Sequence, residues 1–181
     1  MRKVVGKLSS ATCVLDPIPP QILKKRISSL SPVLTKITNK WLSNGVFPTS
    51  LKVARVKHLI KNPNLDPEQL KNYWHVSNLP TLSKIIEKLV VTQIKYHGLV
   101  HGLDEKIQSA YKGGHSTETA LLRLKNDMLM AVILVLLDLS AAFDTIDNEI
   151  MCSRLERLLG LSKKTLAWFR SYLAARTQCV S

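Results

Sequence analysis

Acidic residues, aromatics and cysteines are all scarce in this chain, and each shortage excludes something. Three cysteines, Cys13, Cys152 and Cys179, stand far apart, and no C-x-x-C occurs. That pattern argues against a disulfide scaffold or a thiolate zinc site and fits a reduced intracellular protein. The five histidines show no zinc spacing. His97 and His101 are four apart, but Gly98 and Gly102 are expected to interrupt any helix that would face them together. The longest apolar run, Met128–Leu137, has ten residues, too few to span a bilayer. The opening M-R-K-V-V-G-K lacks the apolar core of an export signal. No membrane or export role is expected, and the location read from this is intracellular, cytoplasm or nucleus. Aromatics are only 6% of the residues, so the core should be mainly aliphatic.

What is present is length, apolar content and positive charge. The 181 residues are enough for one domain or a large piece of a bigger one. Apolar residues at 45% argue against general disorder. Lys and Arg number 26 against 13 Asp and Glu, for a net charge of +13. The excess is concentrated. Residues 1–60 hold eleven basic side chains and one acid, Asp16, whereas residues 61–181 hold fifteen against twelve. So lopsided a segment points to a polyanion such as nucleic acid, bound through counterion release and a long-range field. The plain alternative is a set of solvated helix faces.

Local signals divide the chain. Asp16-Pro17 reads as the cap and first residue of a helix carrying Ile22, Leu23, Ile27 and Leu30. Ser31-Pro32 starts a second helix, with Val33, Leu34, Ile37, Trp41 and Leu42 on one face and Gly45 as its stop. The two should form a short hairpin with Lys24, Lys25, Arg26, Lys36 and Lys40 outside. Val53–Ile60 nearly alternates and reads as a strand, followed by a loop at Asn62-Pro63-Asn64 and Asp66-Pro67. Thr81 caps a helix with Leu82, Ile85, Ile86, Leu89, Val90 and Ile94 as its buried stripe and Gly98 as its end. Ser116 or Thr117 opens another, with Glu118 in its first turn. Asp147 or Asn148 caps a helix ending at Gly160, and Ser162 caps the last one. T-Q-C-V-S, at the end, reads as the start of a strand.

The most telling stretch is 131–144, A-V-I-L-V-L-L-D-L-S-A-A-F-D. An apolar run that ends on a lone carboxylate, Asp138, reads as a buried strand delivering an acid to its tip, where open sheets place ligands and metals. Such an acid can hold a metal, exchange a proton or cap the next turn. Between Ser116 and Asp138 there is no Gly, Pro or turn cluster, although a helix must pass into a strand there. Asn126-Asp127 is the one weak breaker. Connections normally need several residues, so a local deletion is expected.

Several blocks occur in the order found in a known family. They include L-D-P-I-P-P at 15–20, G-V-F-P at 45–48 and L-D-P-E-Q-L-K-N-Y at 65–73. V-S-N-L-P-T-L-S-K-I-I-E-K at 76–88 and Q-S-A-Y-K-G-G-H-S-T-E-T-A-L-L at 108–122 follow. The strongest are L-L-D-L-S-A-A-F-D-T-I-D at 136–147 and W-F-R-S-Y-L-A-A-R-T-Q-C-V-S at 168–181. Over nearly its whole length the chain resembles the N-terminal part of a reverse transcriptase domain of a non-LTR (LINE-type) retrotransposon, of the jockey and chicken-repeat kind. The fold this implies is α+β: mostly helical fingers plus the incomplete palm of a right-hand polymerase. The segments would be a basic helical extension at 1–50, fingers at 51–130 and partial palm at 131–181. The implied activity is RNA-directed DNA polymerisation with Mg²⁺, on an RNA template, a DNA primer and deoxynucleoside triphosphates. Asp138 would be the first catalytic aspartate and a metal ligand, with the backbone carbonyl of Leu139 as a further ligand. Backbone N–H groups near Ala141 and Ala142 would face the triphosphate, and Lys61 would contact the nucleotide. Phe143 would be the steric gate against a 2′-hydroxyl.

The chain also departs from that pattern. Trp74 stands where the family has an Arg that contacts the triphosphate, and His75 replaces the usual Pro. Asn62 replaces a usual Lys, although Lys61 is adjacent, and Lys112 stands for an Arg. Indole and amide groups cannot supply the charge that a phosphate meets in Arg or Lys. The Gly-containing turn before the Asp138 strand is absent. So are the glycine-rich block, the hairpin with paired aspartates and the thumb. A two-metal site then lacks most of its carboxylates. The expectation is a truncated, inactive enzyme with exposed apolar surface. The alternatives are a non-enzymatic basic module that binds nucleic acid, and a helical protein with no ligand.

Overall fold

The computed structural model describes residues 1–8, 13–103, 105, 107–130, 135, 137 and 145–180. The helices are α1 (Arg2–Gly6), α2 (Pro20–Lys25), α3 (Ile27–Asn44), α4 (Thr81–Val100), α5 (Thr117–Met128), α6 (Asn148–Leu159) and α7 (Lys163–Leu173). The strands are β1 (Val53–Ile60), β2 (Tyr73–Asn78) and β3 (Thr177–Val180). Among the described residues the protein is therefore α+β, with one small sheet. Its strand order is β2-β1-β3, with β1 antiparallel to β2 and parallel to β3.

α4 organises the interior because its apolar residues recur at helical spacing and cover two sides. Ile86 and Val90 join Phe47, Leu51, Trp168 and Phe169 in one buried cluster. Ile85, one position earlier and 100° around the helix, joins Val5, Leu8 and Leu23 in a second. The helix thus ties the N-terminal segment to α7. Each such side chain contributes about 1.5–3 kcal/mol on burial. The first cluster is more aromatic than the composition suggests. Phe47 meets Trp168 and Tyr172 edge-on, and Trp168 stacks on Tyr172.

Several expected boundaries hold. β1 spans the predicted residues. Gly45 and Gly160 end α3 and α6 with left-handed backbone, φ 67° and 64°. Ser116 and Thr119 exchange side-chain and backbone hydrogen bonds as a capping box at α5. Asp147 caps α6 by accepting from the N–H groups of Glu149 and Ile150 at 2.8 and 3.0 Å.

Others are corrected. Asp16 does not start the next helix; α2 begins at Pro20, and the Asp16 carboxylate turns instead to Thr81. Pro32 does not open a helix but lies inside α3. α3 starts earlier because Ile27, Leu30 and Leu34 form one stripe on the Val5 cluster. Val33 and Ile37 point outward, exposed. Arg26 alone separates α2 from α3, so no hairpin loop joins them. α4 runs through Gly98 to Val100. The left-handed residue that stops it is Gly102, with the N–H of Leu103 on the carbonyl of Gly98 and that of Gly102 on Leu99. The rings of His97 and His101 therefore do meet, 4.2 Å apart. α1 and β2 were not foreseen.

Candidate nucleic-acid interface

The β1–β2 hairpin is built by alternation. Leu59 lies opposite Trp74, Lys57 opposite Val76 and Arg55 opposite Asn78. Because side chains alternate, these six share one face. The other face carries Ala54 and Val56, both buried, and then His58, His75, Ile60 and Tyr73. The inner face is thus fixed by the core near its base, and the outer face is left to solvent.

The loop between the strands is stiffened by its own polar groups. The Asp66 carboxylate accepts from the Glu68 N–H at 3.0 Å and the Gln69 amide at 2.9 Å. Those bonds, the Glu68 N–H foremost, hold its pKa below the usual value. Asn62 accepts from the Asn64 N–H, and the Tyr73 hydroxyl donates to the Pro67 carbonyl. Lys61 continues directly from β1. Its Nζ donates to the Lys71 carbonyl at 2.7 Å and sits 5.2 Å from the centre of the Trp74 ring. Lys61, expected to touch a nucleotide, and Trp74, which stands where the resemblance would place an arginine, are therefore neighbours, joined as a cation–π pair.

On the inner face, His58 and His75 meet Nδ1 to Nδ1 at 2.6 Å, one ring donating to the other. This cross-strand pair was not foreseen, because it depends on β2. Alternation of large side chains through Y-W-H-V at 73–76 is the signal that could have found it. Among the described residues no group of three metal-ligating side chains occurs.

Lys112 donates through Nζ to the Glu105 carbonyl, away from the hairpin loop in sequence. Eight of the eleven basic residues in the first 60, Arg2, Lys3, Lys7, Lys25, Arg26, Lys36, Lys40 and Lys57, lie exposed, and Arg55 is half-buried. Lys24 and Lys52 do not follow that pattern. Lys24 is half-buried against the Leu8 carbonyl, and Lys52 is buried with its Nζ on the Ala174 carbonyl at 3.1 Å.

A comparison of the chain with models of known protein families finds none that matches. No helix among the described residues is long and apolar enough to cross a membrane.

The expected catalytic group lies outside the described residues: Asp138, Leu139, Ala141, Ala142 and Phe143, with Asp144 beside them. Of the apolar run before Asp138, Val135 and Leu137 are described. Neither lies in a strand, and they are 71% and 91% exposed, against the buried strand expected there. The preceding helix gives way at Met128, directly after Asn126-Asp127, where the one weak breaker stands. For Mg²⁺ the donor chemistry can be tested on what is present. Asp147, the last acid of the motif, spends its Oδ1 on the cap of α6. The 181 residues contain no adjacent aspartate pair. A single carboxylate does not fit a two-ion centre.

Proposed function

We propose that this chain is the fingers and partial palm of a retrotransposon-type reverse transcriptase, and that these residues alone do not polymerise. The observation that carries the reading is the ordered series of sequence blocks, above all L-L-D-L-S-A-A-F-D-T-I-D at 136–147. In the intact enzyme the reaction is attack of a primer 3′-hydroxyl on the α-phosphate of a deoxynucleoside triphosphate, with an RNA template and Mg²⁺. Asp138 would hold metal with the Leu139 carbonyl. Ala141 and Ala142 would face the triphosphate, and Phe143 would screen the sugar. Lys61 supplies one cation toward phosphate, but Asn62 and Trp74 withhold two others. The setting is intracellular, where template and triphosphates are found.

Two experiments test this. The purified chain, given primed RNA template, deoxynucleoside triphosphates and Mg²⁺, is expected to incorporate nothing. Incorporation that disappears in Asp138→Ala would overturn the inactivity. The ancestry is tested by the nucleotide sequence that follows the codon for Ser181. A glycine-rich block and an aromatic-Ala-Asp-Asp hairpin, in frame or after a simple frameshift, are expected, and unrelated sequence would count against it.

A second reading is a non-enzymatic module that binds nucleic acid. The exposed basic side chains of the first 60 residues favour it. Binding of this kind weakens steeply with salt, because each neutralised phosphate releases counterions. A flat salt dependence would reject it.

A further inference from the structure

We infer that the outer face of the β1–β2 hairpin is a stacking platform for single-stranded nucleic acid, with Trp74 taking a base and Arg55, Lys57 and Lys61 the flanking phosphates. The inference rests on the nucleic-acid reading above and names the surface and the form of the ligand. It is a property of this chain, because Trp74 stands where the resemblance would place an arginine.

Three observations carry it. First, the face is apolar at its centre and open. Leu59, Trp74 and Val76 are neighbours by register and are 53%, 60% and 43% exposed. Adjacent apolar side chains left in water on a sheet face are uncommon without a ligand. Second, the rim is basic. Arg55 and Lys57 lie in the same strand row as Leu59, and Lys61 follows it. Within the hairpin and its loop, residues 53–78, the acids are Asp66 and Glu68, both in the loop. Asp66 is already committed to Glu68 and Gln69. Third, donors remain available. The Lys61 ammonium lies over the indole, 5.2 Å from its centre, and spends one of its three donors on the Lys71 carbonyl, so two remain for phosphate.

Aromatic faces between cations bind single strands because every base has a π-face, whereas a duplex hides its bases. An acidic peptide could also meet the rim, but it offers nothing flat to cover the indole. The chemistry favours a single-stranded polynucleotide. Stacking is tolerant of base and sugar, so RNA and DNA single strands are both candidates.

The test uses the full chain and fluorescein-labelled oligouridylate and oligothymidylate of about twelve nucleotides, a length within known single-strand site sizes. A duplex of similar length serves as the comparison, and binding is read by anisotropy. Trp74→Ala is expected to weaken single-strand binding by about five- to a hundredfold, the range of one base–aromatic stack. Trp74→Phe should recover part of the loss, and duplex binding should not change. Comparable losses with the two single strands would mark the platform as indifferent to sugar. Loss with one alone would assign it to that nucleic acid. Because Trp74 is exposed, its replacement should leave the circular dichroism and melting temperature unchanged. If both variants bind single strands as the unaltered chain does, with a steep salt slope, the platform is wrong and the broader reading survives. No binding of any nucleic acid at low salt would overturn both. Binding of polyglutamate in preference to oligouridylate, lost in Trp74→Ala, would also overturn the proposal and assign the face to an acidic protein.

Discussion

Asp16 closes the N-terminal segment onto α4 through Thr81, 65 residues away. One carboxylate oxygen takes the Thr81 backbone N–H, and the other takes its hydroxyl at 2.7 Å. The second oxygen also accepts from the Cys13 N–H at 3.1 Å. The side chain therefore caps the helix that builds both apolar clusters. Asp16→Ala should cost about 1–2 kcal/mol, as for loss of a helix cap. For a chain of this size that lowers the melting temperature by roughly 2–8 °C. Thermal unfolding of the two proteins checks this, and an unchanged midpoint would show the contact to be idle.

The same contact explains which parts of the fold were legible in the sequence. Gly45, Ser116, Asp147 and Gly160 act on residues within a few positions, so their local spacing reveals them. β1 was legible because its alternation lies within eight residues. Asp16 has the composition of a local cap, but its partner is set by tertiary contact. Pro32 looks like a helix start, yet burial of Ile27 and Leu30 ahead of it outweighs the lost hydrogen bond. β2 was missed because the turn residues before it masked Tyr73–Asn78. In the candidate site, Lys61 was anticipated as a cation. Its pairing with Trp74 was not, because it needs β2 in register. Asp138 and Phe143 lie outside the described residues.

Two glycines of the same conformation should respond differently to a methyl group. A Cβ on Gly45 would come within 2.9 Å of the Lys164 carbonyl oxygen and 3.1 Å of the Ala167 Cβ, while one on Gly160 would meet nothing within 4 Å. Gly160→Ala should cost about 1–2 kcal/mol, the strain of left-handed backbone alone. Gly45→Ala should cost more, because α3 and α7 must also separate. Urea midpoints of the two variants give the comparison, and equal losses would mean that the α7 contact yields freely.

Phe47 is 1% exposed and touches Trp168 and Tyr172 edge-on. Its backbone N–H also donates to the Ser171 hydroxyl at 3.0 Å, which fixes the ring's approach to α7. Phe47→Ala should destabilise by about 3–5 kcal/mol, through lost transfer energy and a cavity. Phe47→Leu fills much of that volume and should cost clearly less. Chemical denaturation checks the ranking, and near-equal losses would point to the edge-on geometry as the dominant contribution.

Tyr172 provides the pH dependence. Its hydroxyl donates to Glu87 Oε1 at 2.9 Å, and the Arg176 guanidinium lies 3.9 Å from its ring centre. Burial above all, and then the Glu87 charge, push the phenol up to about 12, against the opposing pull of Arg176. In the unfolded chain the phenol ionises near its ordinary value of about 10. Below that pH both states hold the proton, and the contribution to stability is complete. As pH rises from about 10 to about 12, the unfolded state loses its proton first, so stability falls across this window. Tyr172→Phe should remove that slope. At neutral pH it should cost about 1 kcal/mol for the lost hydrogen bond. Urea unfolding of both proteins at about pH 8 and about pH 11 reads both effects, and equal alkaline losses in the two proteins would assign the slope to another group.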